Sequence, residues 1–437
     1  MRTIIKQKTL KNGIRVVTSS SKETSFVSYC VSFAAGTVFA DKKHSGLAHF
    51  FEHCCFHSTN KHSKEEMVLI EKDHAAYSNA STSGRIMDFD GSCFAKDLYT
   101  ILDLLFERLY DSKYDHKEIE DEKRIVHQEI SRSLLDKKKQ IFEKINKVLF
   151  PSIYVGSFKI LGSHEELDDI CDNDLKEFAK KYLLPSRMVV SVSGNVNISK
   201  LSKYLLKKFP EKSIEQPFVL QQEGEPKVGK NEYIEANLIE NNSVKIYLHL
   251  TNDLQKGTRE HISLSMLASV LSGMGFNSLF YRIIREEKQL VYSIATYLES
   301  YGKTEYFCIA FETTKLKDVL TEICNVLVDV AKNGVDERLL NHYKQWKKRS
   351  IEKRNEDIYG RPPHLASSKI LCDEDCSQKY YDKIDGLALS MTNDDVKSAA
   401  KMVLNTGRIV IATDSKLFGE EQAKEFTKLF SKAKKKI

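Results

Sequence analysis

The sequence predicts an α+β protein of two homologous domains, each a mainly antiparallel sheet packed with helices. Three observations carry that expectation. The 437 residues exceed what one hydrophobic core organises. Stretches of two-residue alternation are interleaved with stretches of helical period. The front half also recurs. Asn173-Asp-Leu-Lys-Glu-Phe-Ala-Lys-Lys-Tyr, then Arg187-Met-Val-Val-Ser-Val, is similar to Asn393-Asp-Asp-Val-Lys-Ser-Ala-Ala-Lys-Met, then Arg408-Ile-Val-Ile-Ala-Thr. The helical pair at Lys96–Glu129 resembles Thr314–Gln345, and both offsets are near 220 residues. Pro217, Pro226 and nearby glycines mark Gln216–Gly229 as a linker between domains at 1–215 and 230–437.

Taken in order, Asn12-Gly13 between two apolar runs predicts a hairpin. Phe26 to Phe33 alternates as a sheet strand does. A short histidine-bearing helix follows, entered at Ser45, and Ser63-Lys-Glu-Glu66 is a capping box opening a helix through Ile70. Polar residues from Tyr77 to Gly84 lead to a strand near Ile86–Phe94. Leu98, Ile101, Leu102, Leu105 and Leu109 mark an amphipathic helix. The next helix, Glu118 to Leu135, carries Ile119, Val126, Ile130 and Leu134 along one stripe. Glu122 and Glu129 share a face of it within about 20°, bordering that stripe. Carboxylates beside a buried stripe point to pairing or a cation. Glu118 lies close to the same line, and spacing alone does not choose among the three.

Composition excludes several classes. Hydrophobic residues make up 41% and charged residues 29%, as in a soluble globular protein. Lys and Arg exceed Asp and Glu by only 67 to 61, partly through Lys432, Lys434, Lys435 and Lys436, so no nucleic-acid partner is expected. Nine cysteines without a regular framework favour reduced thiols and a cytoplasmic location. With neither an apolar signal core at the start nor an 18-residue apolar run, no membrane association is expected.

The chemistry concentrates at Gly46-Leu-Ala-His-Phe-Phe-Glu-His-Cys-Cys-Phe-His-Ser-Thr59. His49 and His53, four apart, stack on one helix face and suit two nitrogens of one zinc ion. Glu52 precedes the second histidine, the inverted H-x-x-E-H or inverzincin order, in which an uncoordinated carboxylate holds a water. His57 continues the series, but steps of about 400° drift by about 40° each, so it is read as solvent-facing or structural. Cys54 and Cys55 are read as buried packing. Cys372 and Cys376 have no histidines near them in sequence to complete a metal site.

This stretch resembles the zinc motif of the pitrilysin/insulinase family, which includes the mitochondrial processing peptidase. Thr9-Leu-Lys-Asn-Gly-Ile-Arg-Val-Val and Ser78-Asn-Ala-Ser-Thr-Ser-Gly are similar to that family's first hairpin and its substrate-side edge strand. The family's third zinc ligand is a glutamate in a helix roughly 75 to 80 residues past the motif, with a second glutamate seven residues earlier. The resemblance therefore implies Glu129 as the ligand and Glu122 as its companion. Arg285 and Tyr292 resemble an arginine–tyrosine pair that reaches substrate from the domain lacking zinc. Nearly the whole chain is covered, as in half-size members, which pair as two chains around a chamber. Two departures stand out: Cys54-Cys55 at a methionine-like position, and Ala75-Ala76 where glycines are usual. The glycine-rich loop of the processing peptidase's noncatalytic subunit is not evident.

The resemblance thus implies a zinc metalloendopeptidase with one Zn2+ per chain. His49, His53 and Glu129 would bind the metal, Glu52 would act as base, and Glu122 would orient a ligand. Arg285 and Tyr292 would hold the substrate carbonyl or backbone. Asn79, Ala80, Ser81 and Thr82 would take a peptide or unfolded segment as an added strand. A homodimer, or a heterodimer with a related subunit, is expected. The rival reading is a noncatalytic partner of the same fold.

Overall fold

The Asn12-Gly13 turn joins β1 (Ile4–Thr9) to β2 (Arg15–Ser20) as an antiparallel hairpin, Thr9 opposite Arg15, with Gly13 at φ 86°. The computed structural model describes residues 3–40, 44–149, 160–210, 231–235, 242–250, 254–301, 304–414 and 418–437, so the expected linker Gln216–Gly229 lies outside the described residues. The hairpin is followed by β3 (Phe26–Phe33), helices α1 (Leu47–Cys54) and α2 (Lys64–Asp73), β4 (Tyr77–Thr82) and β5 (Met87–Phe94). Helices α3 (Leu98–Tyr110), α4 (His116–Leu135) and α5 (Lys137–Leu149) come next, and β6 (Met188–Gly194) follows the helix Asp172–Tyr182.

The first compact unit comprises Met1–Leu135, Gly156–Gln221 and Glu352–Tyr381. Its sheet runs β1-β2-β6-β3-β5-β4, antiparallel throughout except for the β2–β6 pair. Alternation puts Val27, Tyr29, Val31 and Phe33 on the core side, against Phe50 and Phe51 of α1 and the apolar stripes of α3 and α4. Each such phenyl ring, fully buried, contributes roughly 1.5–3 kcal/mol. Gly91 of β5 belongs to this packing, because a Cβ there would meet the Tyr29 hydroxyl at 2.5 Å and the Tyr77 carbonyl at 2.3 Å. The room lets Tyr29 Oη pass beneath the strand and hydrogen-bond Ser78 Oγ at 3.1 Å.

The second unit comprises Asp136–Val155, Gln222–Ile351 and Asp382–Ile437. It contains β7 (Glu232–Glu235), β8 (Ser243–His249), β9 (Ile294–Tyr301), β10 (Thr304–Glu312) and β11 (Ile409–Asp414). Their order is β7-β11-β8-β10-β9, again antiparallel apart from the pair β7–β11. This is the first sheet's plan without its outermost strand. The repeated segments occupy matching places. Asp172–Tyr182 leads to β6 as Asn393–Leu404 leads to β11, and α3–α4 recur as Leu316–Asn333 and Glu337–Glu356.

The units are not contiguous halves. Helix Arg361–Cys372, late in the chain, lies on the first unit's sheet, where Ala366 and Ile370 pack with Cys30, Ala34, Ile86 and Val189. The buried Arg15 donates to Lys369 O at the end of that helix, at 3.2 Å. Reciprocally, α5 belongs to the second unit: Tyr306 Oη donates to Leu149 O at 3.3 Å and Arg408 to Val148 O at 3.0 Å. Smaller departures from the sequence reading concern helix ends. Ser45 does not enter α1, whose N-cap is Gly46; it donates instead to Glu166 Oε2. Helix α2 runs to Asp73, past Ile70, behind the expected capping box. Leu134 is 63% exposed, because the buried stripe of α4 ends at Ile130.

Candidate metal centre

Eight residues make an intrinsically weak helix. Packing supplies what α1 lacks, since Leu47, Ala48, Phe50, Phe51 and Cys54 are all buried. Its entry is close-fitted too: a Cβ on Gly46 would lie 2.6 Å from Leu161 O. With those faces filled, His49 and His53 are left on the side facing α4, their side chains 12% and 18% exposed and their rings 4.6 Å apart.

Helix α4 presents Glu118, Glu122 and Glu129 to different partners. Glu129 Oε2 lies 3.7 Å from His49 Nε2 and 3.6 Å from His53 Nε2. One ligand atom from each of the three residues falls within 4.8 Å of the others, the only such grouping among the described residues. Ligand atoms around a tetrahedral zinc, about 2.0–2.1 Å from it, sit about 3.3 Å apart, and two imidazoles with one carboxylate form a set typical of an open zinc site. The residues fit the ion.

Glu122 bridges two histidines. Oε1 accepts from His53 Nδ1 and Oε2 from His57 Nε2, both at 2.8 Å. Burial pushes this carboxyl up, but the hydrogen bonds from His53 and His57 outweigh it and bring it down to about 2. His53 is the converse: burial lowers it, and the bond to Glu122 with the charges of Glu129, Glu122 and Glu52 lifts it above its ordinary value. Glu118 holds the next residue, accepting from Ser58 N at 3.1 Å and Ser58 Oγ at 2.5 Å.

Glu52 is buried at 9% exposure beside His53. Burial raises its pKa, and the hydrogen bond from Thr82 opposes that rise. Thr82 Oγ1 donates to Glu52 Oε2 at 2.8 Å, tying the carboxylate to the end of β4.

Strand β4 is the last of its sheet, and among the described residues its outer side pairs with no strand. Asn79, Ala80, Ser81 and Thr82 sit opposite Asp90, Phe89, Asp88 and Met87 of β5. Thr82 is turned toward α1 and Ser81 alternates to the other face. The turn before it places Ala75 at φ 46°, in the left-handed region that glycine adopts most readily.

In the second unit Arg285 and Tyr292 come together, guanidinium to ring centroid 5.9 Å, and Arg285 stacks more closely on Tyr281 at 4.3 Å. Tyr292 is 79% exposed. Cys54 and Cys55 are buried thiols pushed far up by burial, as packing residues should be. The eight cysteines described are all free. None of the described helices is long and apolar enough to cross a membrane.

Of the two readings of His57, solvent-facing or structural, the structure has the second: the side chain is 4% exposed and bonded to Glu122, a pairing hinted at only by its i, i+4 spacing from His53. The sequence reading puts Thr82 on the substrate edge, and its pairing with Glu52 has no local signal.

Comparison with known proteins points one way. Residues 15–152 match the sequence model of the insulinase family, peptidase family M16, and residues 170–345 match that of the peptidase M16 inactive domain. An uncharacterized zinc protease of Bacillus subtilis is 24% identical over 355 residues, 80% of this chain and 84% of that protein. The mitochondrial-processing peptidase subunit beta of Caenorhabditis elegans is 29% identical over 206 residues, covering 46% of this chain and 44% of that subunit. A protease from Helicobacter pylori shares the fold at TM-score 0.74 and 20% identity, over 94% of this chain and 99% of that one. A peptidase M16 inactive domain from Pseudomonas fluorescens does so at TM-score 0.76 and 16% identity, over 94% and 97%.

Proposed function

This chain belongs to the insulinase family, peptidase family M16, and from that premise we propose that it is a zinc metalloendopeptidase acting on peptides or unfolded segments. The observation that carries the proposal is the convergence of His49, His53 and Glu129 next to a buried, uncoordinated Glu52. One zinc ion per chain, held by those three residues, would supply a water of lowered pKa and polarise the scissile carbonyl. Glu52 takes the proton of the attacking water and delivers it to the leaving amine. Thr82 holds one carboxylate oxygen, Oε2, and leaves Oε1 for that water. Glu122 keeps the His53 proton on Nδ1, so Nε2 presents a lone pair toward Glu129 and His49.

The substrate backbone is added along β4, main chain to main chain through Asn79–Thr82, which selects extended chain over sequence. Arg285, a half-buried cation, and Tyr292, an exposed phenol, both in the second unit, hold the substrate carbonyl or backbone. The active assembly is a dimer, of identical chains or with a related subunit. The free thiols favour a cytoplasmic setting. The rival role, a noncatalytic partner, finds support in two names, that of the inactive domain matched over 170–345, all of which lies beyond the histidine motif, and that of the Pseudomonas fluorescens inactive domain of similar fold.

Glu52→Gln separates the two roles. The variant should bind zinc stoichiometrically while cleavage of a mixed peptide library, read by mass, falls at least a thousandfold. Unaltered cleavage removes Glu52 from the mechanism, and no cleavage by the zinc-loaded wild type favours the partner role.

A further inference from the structure

Helix α1 ends at Cys54, yet its histidine series continues for one more turn, to His57. That side chain is 4% exposed, and its Nε2 lies 2.8 Å from Glu122 Oε2. The other oxygen of the same carboxylate lies 2.8 Å from His53 Nδ1. A carboxylate without its proton only accepts hydrogen bonds, so both ring nitrogens facing Glu122 carry hydrogen. This fixes the His53 tautomer and leaves Nε2 free to ligate.

We propose that His57 is a positioning residue of the metal centre: through Glu122 it fixes the tautomer and orientation of His53. The inference rests on the zinc site proposed above. The physical reason lies in the geometry of a carboxylate. A glutamate held at one oxygen alone swings about its last torsion, which is broad and offers many orientations. Held at both oxygens by groups on one rigid turn, it has a single orientation, and its bond to His53 is aimed once. The neighbouring residues reinforce that turn. Ser58 is bonded through its amide and its hydroxyl to Glu118, and Thr59 donates to Glu107 Oε1. Three carboxylates from α3 and α4 thus clamp residues 57–59, and one of the three passes the constraint on to a metal ligand.

His57 has a second effect by the same bond. Glu122 lies one hydrogen bond from His53, and an unanchored carboxylate at that distance is itself a candidate oxygen ligand. Occupying its second oxygen keeps Glu122 out of the coordination sphere and leaves that role to Glu129.

The test uses the full chain and zinc itself. Zinc affinity is measured by competition with a chromophoric chelator for the wild type, His57→Leu, His57→Gln and Glu122→Gln, and for the double variant. Removing a residue that orients a ligand lowers metal affinity roughly 10–100-fold. His57→Leu is expected to weaken zinc about tenfold. His57→Gln, whose amide replaces the Nε2 donor, should stay within about threefold of wild type. In the Glu122→Gln background His57→Leu should add nothing. Unchanged affinity in His57→Leu overturns the proposal, as does an equal further loss in the double variant. If the leucine variant does not fold, His57→Asn, whose amide replaces Nδ1 instead of Nε2, takes its place with the same expectation.

The nitrogen chemical shifts of His53 in metal-free protein give a second reading, independent of zinc. An Nδ1–H tautomer is expected in the wild type and in His57→Gln, and a mixture in His57→Leu. The same mixture in the wild type overturns the proposal. If the wild type fails to bind zinc, the zinc reading falls and these shifts still decide what His57 does.

Discussion

The two units are near-copies in plan and differ at one place that matters. In each, the strand that starts the antiparallel set is followed by a helix and the chain returns to the sheet's last strand: β3, α1, β4 in the first unit, and β8, Arg259–Ala268, β9 in the second. In each, a threonine of that last strand reaches back to the helical segment. Thr82 donates to the carboxylate of Glu52. Thr296 donates instead to the Ala268 carbonyl at 2.8 Å and shares a hydrogen bond with Ser272 at 2.7 Å. The second helix has Ile262, Leu264, Met266 and Leu267 buried, and its one histidine, His261, pairs with Glu305. The scaffold therefore does not confer chemistry by itself. Four or five side chains convert a packing contact into a candidate active site, and the other copy retains the contact alone.

That comparison can be broken most decisively at Glu129. Glu129→Gln should lower zinc affinity by more than about a hundredfold and abolish cleavage, since losing a ligand exceeds losing a group that orients one. Retained zinc and retained cleavage would mean that the first unit is no different from the second.

A smaller effect sharpens the contrast on the opposite sheet face. There β5 carries Asp88 and Asp90, whereas β10 carries Tyr306, Cys308 and Ala310. Burial, against a hydrogen bond from Ser32, pushes Asp88 up to about 6. Its folded pKa lies above its ordinary value of 3.8, so ionising it in the fold costs stability. That cost is absent below about pH 3.8 and complete above about pH 6. Asp88→Asn should therefore stabilise the protein at pH 7.5 by ~2 kcal/mol and have little effect at pH 3.5, as read from denaturant midpoints. A benefit independent of pH would mean that desolvation of Asp88 is not the cause.

The smallest effect tests the threonines directly. Thr82→Val should cut kcat about tenfold at unchanged zinc content, with Thr82→Ser near wild type, while Thr296→Val should cost about 1 kcal/mol of stability and leave kcat alone. Equal kinetic losses from both would erase the distinction between the units.

Much of this was legible in the residues. The Asn12-Gly13 hairpin, the helix pair at 98–135 and its recurrence near 220 residues later follow from local pattern, which is what periodicity encodes. His49, His53 and Glu52 follow from helical spacing. Glu129 needed a family resemblance, because Glu118, Glu122 and Glu129 border one stripe and only tertiary contact assigns each a partner. The sequence leaves His57 between a solvent-facing and a structural reading for a related reason: α1 ends at Cys54, and nothing local announces that Glu122 of α4 meets the residue beyond it. Leu134 fails likewise, since an amphipathic stripe does not record where its partner surface ends. The crossing of Arg361–Cys372 and α5 between units has no local signature at all.

That crossing bears on how the molecule can be divided. A fragment cut after residue 215 would keep every candidate ligand and still lack its own covering helix, baring Cys30, Ala34, Ile86 and Val189 to water. The complementary fragment would lack α5, with Leu149 and Val148 no longer there to receive Tyr306 and Arg408. Neither piece is self-sufficient, so a gene split at the midpoint should yield working protein only when both products are made together.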